Sequence, residues 1–237
     1  MRAGTEADPP LDRSAAAADK PAMRWGLVLL AVALGGCIPR GSQAPPDRPP
    51  PAQSQTQAAT QATLQCHLDL AREDVQFRIL PDRRFESGCS AVGAVQLTDI
   101  GVPTSNLTAM TCPLARQYAR WVREAVQPAA SQLLGTSIAR IETFGTYSCR
   151  PVNNVQGARI SEHGFANAVD VSAFVLGNGR RITVEDGWNS NDERVRRFLR
   201  AVHRAGCQRF SVGLGPDSDA LHYNHLHFDL GPRGTCR

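Results

Sequence analysis

His222-Tyr223-Asn224-His225-Leu226-His227-Phe228-Asp229-Leu230 is the stretch from which the rest of the chain is best read. In an extended strand, successive side chains point to opposite faces. Leu226, Phe228 and Leu230 would then share one face, and His225, His227 and Asp229 the other. The apolar face suits a core. Two imidazoles and a carboxylate side by side are costly to bury unless something binds them. A divalent cation meets that need. Imidazole nitrogen and carboxylate oxygen suit Zn²⁺, and a catalytic zinc keeps three protein ligands and one open position.

A second segment, Ser161-Glu162-His163-Gly164-Phe165-Ala166-Asn167-Ala168-Val169-Asp170-Val171-Ser172, supplies further donors. His163 and Asp170 are separated by a turn, so they are expected to meet the final strand from a loop and from a neighbouring strand. In either segment alone, a hydrogen-bonded bystander histidine is as good a reading as a ligand. The two together point to a metal site drawn from His163, Asp170, His222, His225 and His227.

Outward from these segments, hydrophobic spacing predicts a helix over 113–134. Pro113 suits its first position, Gly135 its end, and Pro128 is expected to kink or break it. A second helix is predicted over 192–205 from the stripe Val195, Phe198, Leu199 and Val202, with Gly206 as its C-terminal cap. Short strands are expected at 138–143, 168–174, 181–184, 210–214 and 225–230. This pattern predicts an α+β domain, a small antiparallel sheet with packed helices.

Composition sets the frame. Of the 237 residues, 42% are hydrophobic and 20% charged, which suits a globular chain rather than a polytopic membrane protein. The net charge of +4 comes without a Lys/Arg block and gives no reason to expect nucleic acid as a partner. Met23-Arg24-Trp25-Gly26, an apolar run from Leu27 to Leu34 and Leu34-Gly35-Gly36-Cys37 have the order of a signal peptide. The Leu-Gly-Gly-Cys ending resembles the lipobox of bacterial lipoproteins, which implies lipidation at Cys37. Residues 1–22 read as disordered, or as an extension ahead of a true start at Met23. Residues 38–63, rich in Pro, Gln, Ser, Thr and Ala, are expected to form a disordered tether. The folded domain is expected over 64–237.

Six cysteines follow Cys37, an even number that in an exported chain reads as a disulfide framework. Of the 15 pairings they allow, chain order suggests Cys66–Cys89, Cys112–Cys149 and Cys207–Cys236. Committed to bridges, they leave no thiol nucleophile. Neither a GxSxG elbow nor a GxxxxGK[ST] phosphate loop occurs.

Ser161-x-His163-x-x-Ala166-x-Ala168-x-Asp170 resembles the SxHxxGxAxD motif of D-Ala-D-Ala metallopeptidases. The HxxHxH run at His222, His225 and His227 resembles the closing motif of the penicillin-insensitive murein endopeptidases. Both groups belong to a superfamily with the lysostaphin-type peptidases and the hedgehog signalling domain. More closely, residues 64–237 look like the bacterial extensin-like C-terminal domain family, through Cys149-Arg150, the SEH…AVDVSAF stretch, Trp188, Cys207, Phe210 and the HLHFDL ending. The resemblance implies a hedgehog- or D-Ala-D-Ala-peptidase-like zinc fold, stabilised by disulfides. It makes His163, Asp170 and His227 the Zn²⁺ ligands and His225 a catalytic histidine. It puts Ser161 and Arg150 near substrate carbonyl or carboxylate groups. Ala166 departs from the motif's glycine. His222 stands where many carboxypeptidases carry a glutamate, which leaves the general base open between His225 and His222. Asp229 is expected to orient an imidazole from behind the ligands.

The expectation is thus a zinc peptidase acting on peptidoglycan, exported and lipid-anchored on the periplasmic face of a bacterial membrane, the outer one where the cell has one. The alternative is a non-catalytic wall-binding or metal-binding lipoprotein that keeps the site's geometry.

Overall fold

The structure, a computed structural model, describes residues 52–232 and 234–237, with 52–55 described by their backbone alone. Residues 1–22, the signal-like segment 23–37 with Cys37, and residues 38–51 lie outside the described residues. Among the described residues no helix is long and apolar enough to cross a membrane.

The first helix, α1, spans Ala52–Arg72, so the tether expected over 38–63 is helical in its last part. The segment lacks the apolar residues for a core, but Ala and Gln are good helix formers. The far end of α1 is docked: Leu70 is fully buried and Cys66 is bonded to Cys112. Just beyond it, Glu73 accepts hydrogen bonds from Arg116 Nε at 2.7 Å and Arg120 Nη2 at 2.6 Å. A docked end removes the cost of nucleating the helix.

Next come β1 (Gln76–Ile79), β2 (Arg83–Arg84), β3 (Ser90–Ala91), β4 (Ala94–Asp99) and β5 (Met110–Thr111). They form an antiparallel sheet of order β1-β4-β5 and a β2-β3 hairpin. None of these strands was expected from sequence.

The helix predicted over 113–134 is present in two pieces, α2 (Cys112–Trp121) and α3 (Gln127–Leu134). A wider turn at Val122–Val126 joins them. Pro128 has no N–H to give, and its ring would clash with the carbonyl four residues back, at Glu124. The distortion therefore falls before the proline, and Pro128 sits in the first turn of α3. Gly135 ends α3 in the left-handed conformation, with φ +70°.

The remaining elements are β6 (Ile138–Gly145), β7 (Ala168–Leu176), β8 (Arg181–Thr183), α4 (Val184–Gly187), α5 (Glu193–Cys207), β9 (Val212–Leu214), β10 (Leu226–Asp229) and β11 (Thr235–Cys236). The main sheet has the order β11-β9-β10-β7-β6, with β8 also pairing with β7. Its pairs are antiparallel except β11 with β9. The fold is α+β, with small, mainly antiparallel sheets and packed helices.

Helix α5 covers one face of the main sheet. Asp192 caps it, its carboxylate accepting from Arg194 N at 3.0 Å and Val195 N at 3.4 Å. Val195, Phe198, Leu199 and Val202 are buried, as their spacing implies. Gly206, expected as a cap, instead lies inside the helix. A Cβ there would come within 2.2 Å of the Phe228 ring, so glycine is what lets α5 approach the sheet so closely. Phe228 also packs on Phe210 and on Trp121, whose indole N–H donates to Val202 O at 2.9 Å.

Two of the three expected disulfides are corrected. The bonds are Cys66–Cys112, Cys89–Cys149 and, as expected, Cys207–Cys236. Chain order misled because the partners meet through packing of distant segments. Helix α1 lies against α2, and the β2-β3 hairpin lies against the loop after β6. Cα separations of 6.1 and 5.7 Å suit these pairs.

Candidate metal centre

The site is built on the β7–β10 pair. Asp170 and His227 are direct cross-strand partners, as are Val171 with Leu226 and Val169 with Phe228. Alternation sends the valines, Leu226 and Phe228 into the core and turns Asp170, His227 and Asp229 the other way. His163 comes from a single helical turn, Glu162–Phe165, just before β7. Ser161, given a substrate role from sequence, caps this turn, its hydroxyl accepting from His163 N at 3.4 Å. Ala166 ends the turn at φ +54°, in the left-handed region that favours glycine, which explains why a glycine suits that motif position.

The three candidate ligands are nearly sealed from solvent: His163 is 3% exposed, Asp170 8% and His227 8%. His163 Nε2 lies 3.1 Å from Asp170 Oδ2 and 3.3 Å from His227 Nδ1. His227 Nδ1 lies 2.7 Å from Asp170 Oδ1. Ligands about 2.0–2.1 Å from a tetrahedral zinc would stand roughly 3.3 Å apart. The donors need little rearrangement to hold such an ion.

The outer nitrogens of both imidazoles are engaged elsewhere. His163 Nδ1 lies 3.1 Å from Thr146 O, which can only accept, so Nδ1 carries the proton and Nε2 offers its lone pair inward. His227 Nε2 lies 2.9 Å from Asp229 Oδ2 and donates to it, leaving Nδ1 facing inward. Asp229 is itself steadied by Gly231 N, which donates to its Oδ1 at 2.7 Å. Carboxylate or carbonyl partners behind histidines are the usual way proteins orient metal-binding imidazoles.

The charges tell the same story. Burial opposes ionisation of Asp170, but the two imidazoles that face it, His163 and His227, outweigh it and hold the carboxyl far below its usual range. Burial likewise opposes a proton on His227, yet Asp170 and Asp229 on either side push it up to about 9. A pocket that holds a proton this firmly is a pocket that favours a cation.

The model of the extensin-like protein C-terminus family matches residues 64–237. The chain belongs to that family. No curated protein and no solved structure matches the chain.

In this extensin-like domain two more histidines stand beside the triad. The His222 ring lies 5.7 Å from that of His227 and 5.1 Å from that of His225, between centroids. His225 Nε2 is 3.6 Å from Asp170 Oδ1, and its Nδ1 is 2.9 Å from Asn224 Oδ1. Burial pushes His225 down to about 4, against the pull of Asp170, so its imidazole is neutral. His222 Nδ1 donates to Asp219 Oδ1 at 2.8 Å, which leaves Nε2 as an acceptor. Asp219 was not singled out from sequence, although it stands three residues before His222. The Thr146 carbonyl was missed too, because a backbone acceptor has no signature of its own. Arg150 lines the cleft over the triad. Ser161, His163, Asp170, His222, His225, His227 and Asp229 line the same cleft.

A second group of candidate donors, His203, Cys207 and Cys236, is also close enough to share an ion. Its sulfurs are joined as a disulfide and supply no thiolates.

Proposed function

We propose that this extensin-like domain is a zinc-dependent peptidase acting on peptidoglycan peptides, with His163, Asp170 and His227 as metal ligands. One observation carries the reading. Both imidazoles have their outer N–H groups occupied, by Thr146 O and Asp229, while their inner nitrogens converge on Asp170. A chance cluster of buried histidines has no reason to satisfy this rule twice.

When bound at such a site, zinc supplies Lewis acidity, polarising a carbonyl and making water acidic enough to react near neutral pH. The chain's own groups do the rest. His222, oriented by Asp219, is the better general base, because its free Nε2 can take a proton while the carboxylate stabilises the resulting imidazolium. The same nitrogen can return that proton to the departing amine. His225, neutral and beside Asn224, is suited to hydrogen-bond the carbonyl oxygen as charge develops there, in the tautomer that carries its proton on Nε2. Arg150 offers a guanidinium for a substrate carboxylate at the rim. The signal-like segment and Cys37 support a membrane-anchored, exported protein, with the cell wall as the substrate within reach.

Two measurements test this. Metal analysis of the purified protein is expected to give about one zinc per chain. Digestion of purified muropeptides, read by mass spectrometry, is expected to show chelator-sensitive cleavage that His222→Ala removes. Protein without metal, or zinc-loaded protein that leaves every muropeptide intact, overturns the reading.

A further inference from the structure

Trp188 is one of the residues that carry the family resemblance, yet it does not line the cleft. It directly follows α4, is 2% exposed and packs edge-on against His203 of α5. Its one polar atom is the indole N–H, a donor that needs a partner when buried. The partner comes from the segment that leads to the candidate site. Trp188 Nε1 donates to Asp217 Oδ1 at 2.8 Å. The other carboxylate oxygen accepts from Arg200 of α5, whose guanidinium carbon lies 3.9 Å from the centre of the Trp188 ring. One carboxylate thus joins the end of α4, the middle of α5 and the chain that follows β9.

Asp217 belongs to residues 215–225, which connect β9 to β10 by turns alone. The same segment carries His222 and His225. Among the described residues, Asp217 makes the only hydrogen bonds that residues 216–224 form beyond the segment itself. From there to His222 the chain is tightly folded. The Gly215 carbonyl accepts from Ser218 N at 2.9 Å and from its hydroxyl at 2.6 Å. Asp219 Oδ1 accepts from Leu221 N and from His222 Nδ1, each at 2.8 Å. Two carboxylates two residues apart therefore serve different ends: Asp217 fastens the segment to a buried indole, and Asp219 aims the His222 ring.

We propose that Asp217 is a positioning residue of the candidate site, which holds His222 at the cleft by anchoring its segment to Trp188 and Arg200. The proposal rests on the peptidase reading for the part played by His222 and adds what keeps that imidazole in place. The metal ligands stand on β7, β10 and the turn Glu162–Phe165, outside the anchored segment. Breaking the anchor should therefore leave the ion held and the base unaimed. A half-exposed ion pair with Arg200 contributes little by itself. The indole is different, because a buried donor that loses its acceptor is costly to leave in place.

The test frees the segment and reads it in two ways. Chymotrypsin cuts after exposed aromatic and leucine residues, and Leu221, 55% exposed, and Tyr223, 52% exposed, offer it two sites here. In zinc-loaded Asp217→Ala, nicking after these residues is expected to run about tenfold faster than in the wild type, since proteolysis reads how often a segment opens. Nicking after Phe85, exposed between β2 and β3, is expected to stay the same, which separates a freed segment from an unfolded protein. Asp217→Asn keeps an oxygen for the indole N–H and is expected to fall between the two. Metal analysis should still give about one zinc per chain. Against a muropeptide that the wild type cuts, Asp217→Ala is expected to lower kcat about 10–100-fold and to leave KM within about twofold. Unchanged nicking after Leu221 and Tyr223, loss of the zinc, or an unchanged kcat would each overturn the proposal. If the wild type cuts no muropeptide, the peptidase reading fails and the role of His222 with it, while the nicking rates still decide whether Asp217 fastens the segment.

Discussion

The β7–β10 pair and the loop that carries His163 bring ligands to the same point by different means. Asp170 and His227 face each other across a ladder, so their separation is set by backbone pairing with Val169, Val171, Leu226 and Phe228 locked beneath. His163 sits on irregular backbone and is held by separate devices: the Ser161 cap, the Thr146 carbonyl and the Cys89–Cys149 bond beside it. Ile160 and Cys89 press so closely on Gly164 that a Cβ there would approach them to 2.5 and 3.0 Å. A sheet can place a pair of groups cheaply, whereas a third ligand from another direction needs a loop that is pinned at several points.

The largest effect should come from breaking the ladder's own pair. Asp170→Ala or His227→Ala is expected to abolish zinc binding, as read by metal analysis, because two ligands do not make a closed site. Retention of about one zinc per chain in either variant would show that the strands are not where the ion is held.

The loop is tested next. Removing Cys89–Cys149 with a Cys89→Ser/Cys149→Ser pair opens a closure of 60 residues, worth about 4 kcal/mol in chain entropy. The melting temperature should drop, and zinc affinity in a chelator competition should fall about tenfold as the loop loses its preorganisation. Unchanged affinity would mean that hydrogen bonds alone pin the loop. Asp229→Ala, which frees the His227 ring to turn, is expected to cost about 10–100-fold in zinc affinity while leaving the fold intact.

Smaller effects separate the support beneath the strands from the site itself. Gly206→Ala forces a methyl into the Phe228 ring and is expected to destabilise the protein by about 1–3 kcal/mol in a denaturant melt. Zinc affinity of the remaining folded fraction should not change. His203 lies in the same layer, beneath Trp188 and beside Phe228. Burial lowers its pKa from 6.5, against the pull of the Gly213 carbonyl and Asp217 and with the help of Arg200 and Arg204. The folded state thus binds this proton less readily than the unfolded chain does. Its contribution to stability is present above pH 6.5 and is lost as the pH falls below that value. The denaturation midpoint should therefore fall between neutral pH and about pH 5, and His203→Phe should flatten that slope.

The sheet-borne half of the site was legible in the chain because alternation in Leu226-His227-Phe228-Asp229 is a backbone property that every strand obeys. The apolar stripe of helix α5 was legible for the same kind of reason, whereas its expected cap, Gly206, lies inside the helix. The loop-borne half was legible only as a list of residues. Nothing local in Cys89 or Cys149 says that they meet across a sequence separation of 60, and chain order paired each with the wrong partner. Strands β1 to β5 escaped notice because they are two to six residues long and several are largely exposed, so that no face repeats often enough to register. The helical part of the tether escaped because low hydrophobicity was read as lack of structure, when Ala and Gln need only one docked end to continue a helix.

The bond between Cys89 and Cys149 also has a meaning in time. It joins the hairpin ahead of β4 to the segment that presents His163 and Arg150, and those parts are made far apart in the growing chain. In a thiol-reducing compartment the segment keeps its sequence but not its fastening. Oxidation then completes the fastening, so that the segment is pinned only where electrons can be withdrawn from its sulfurs.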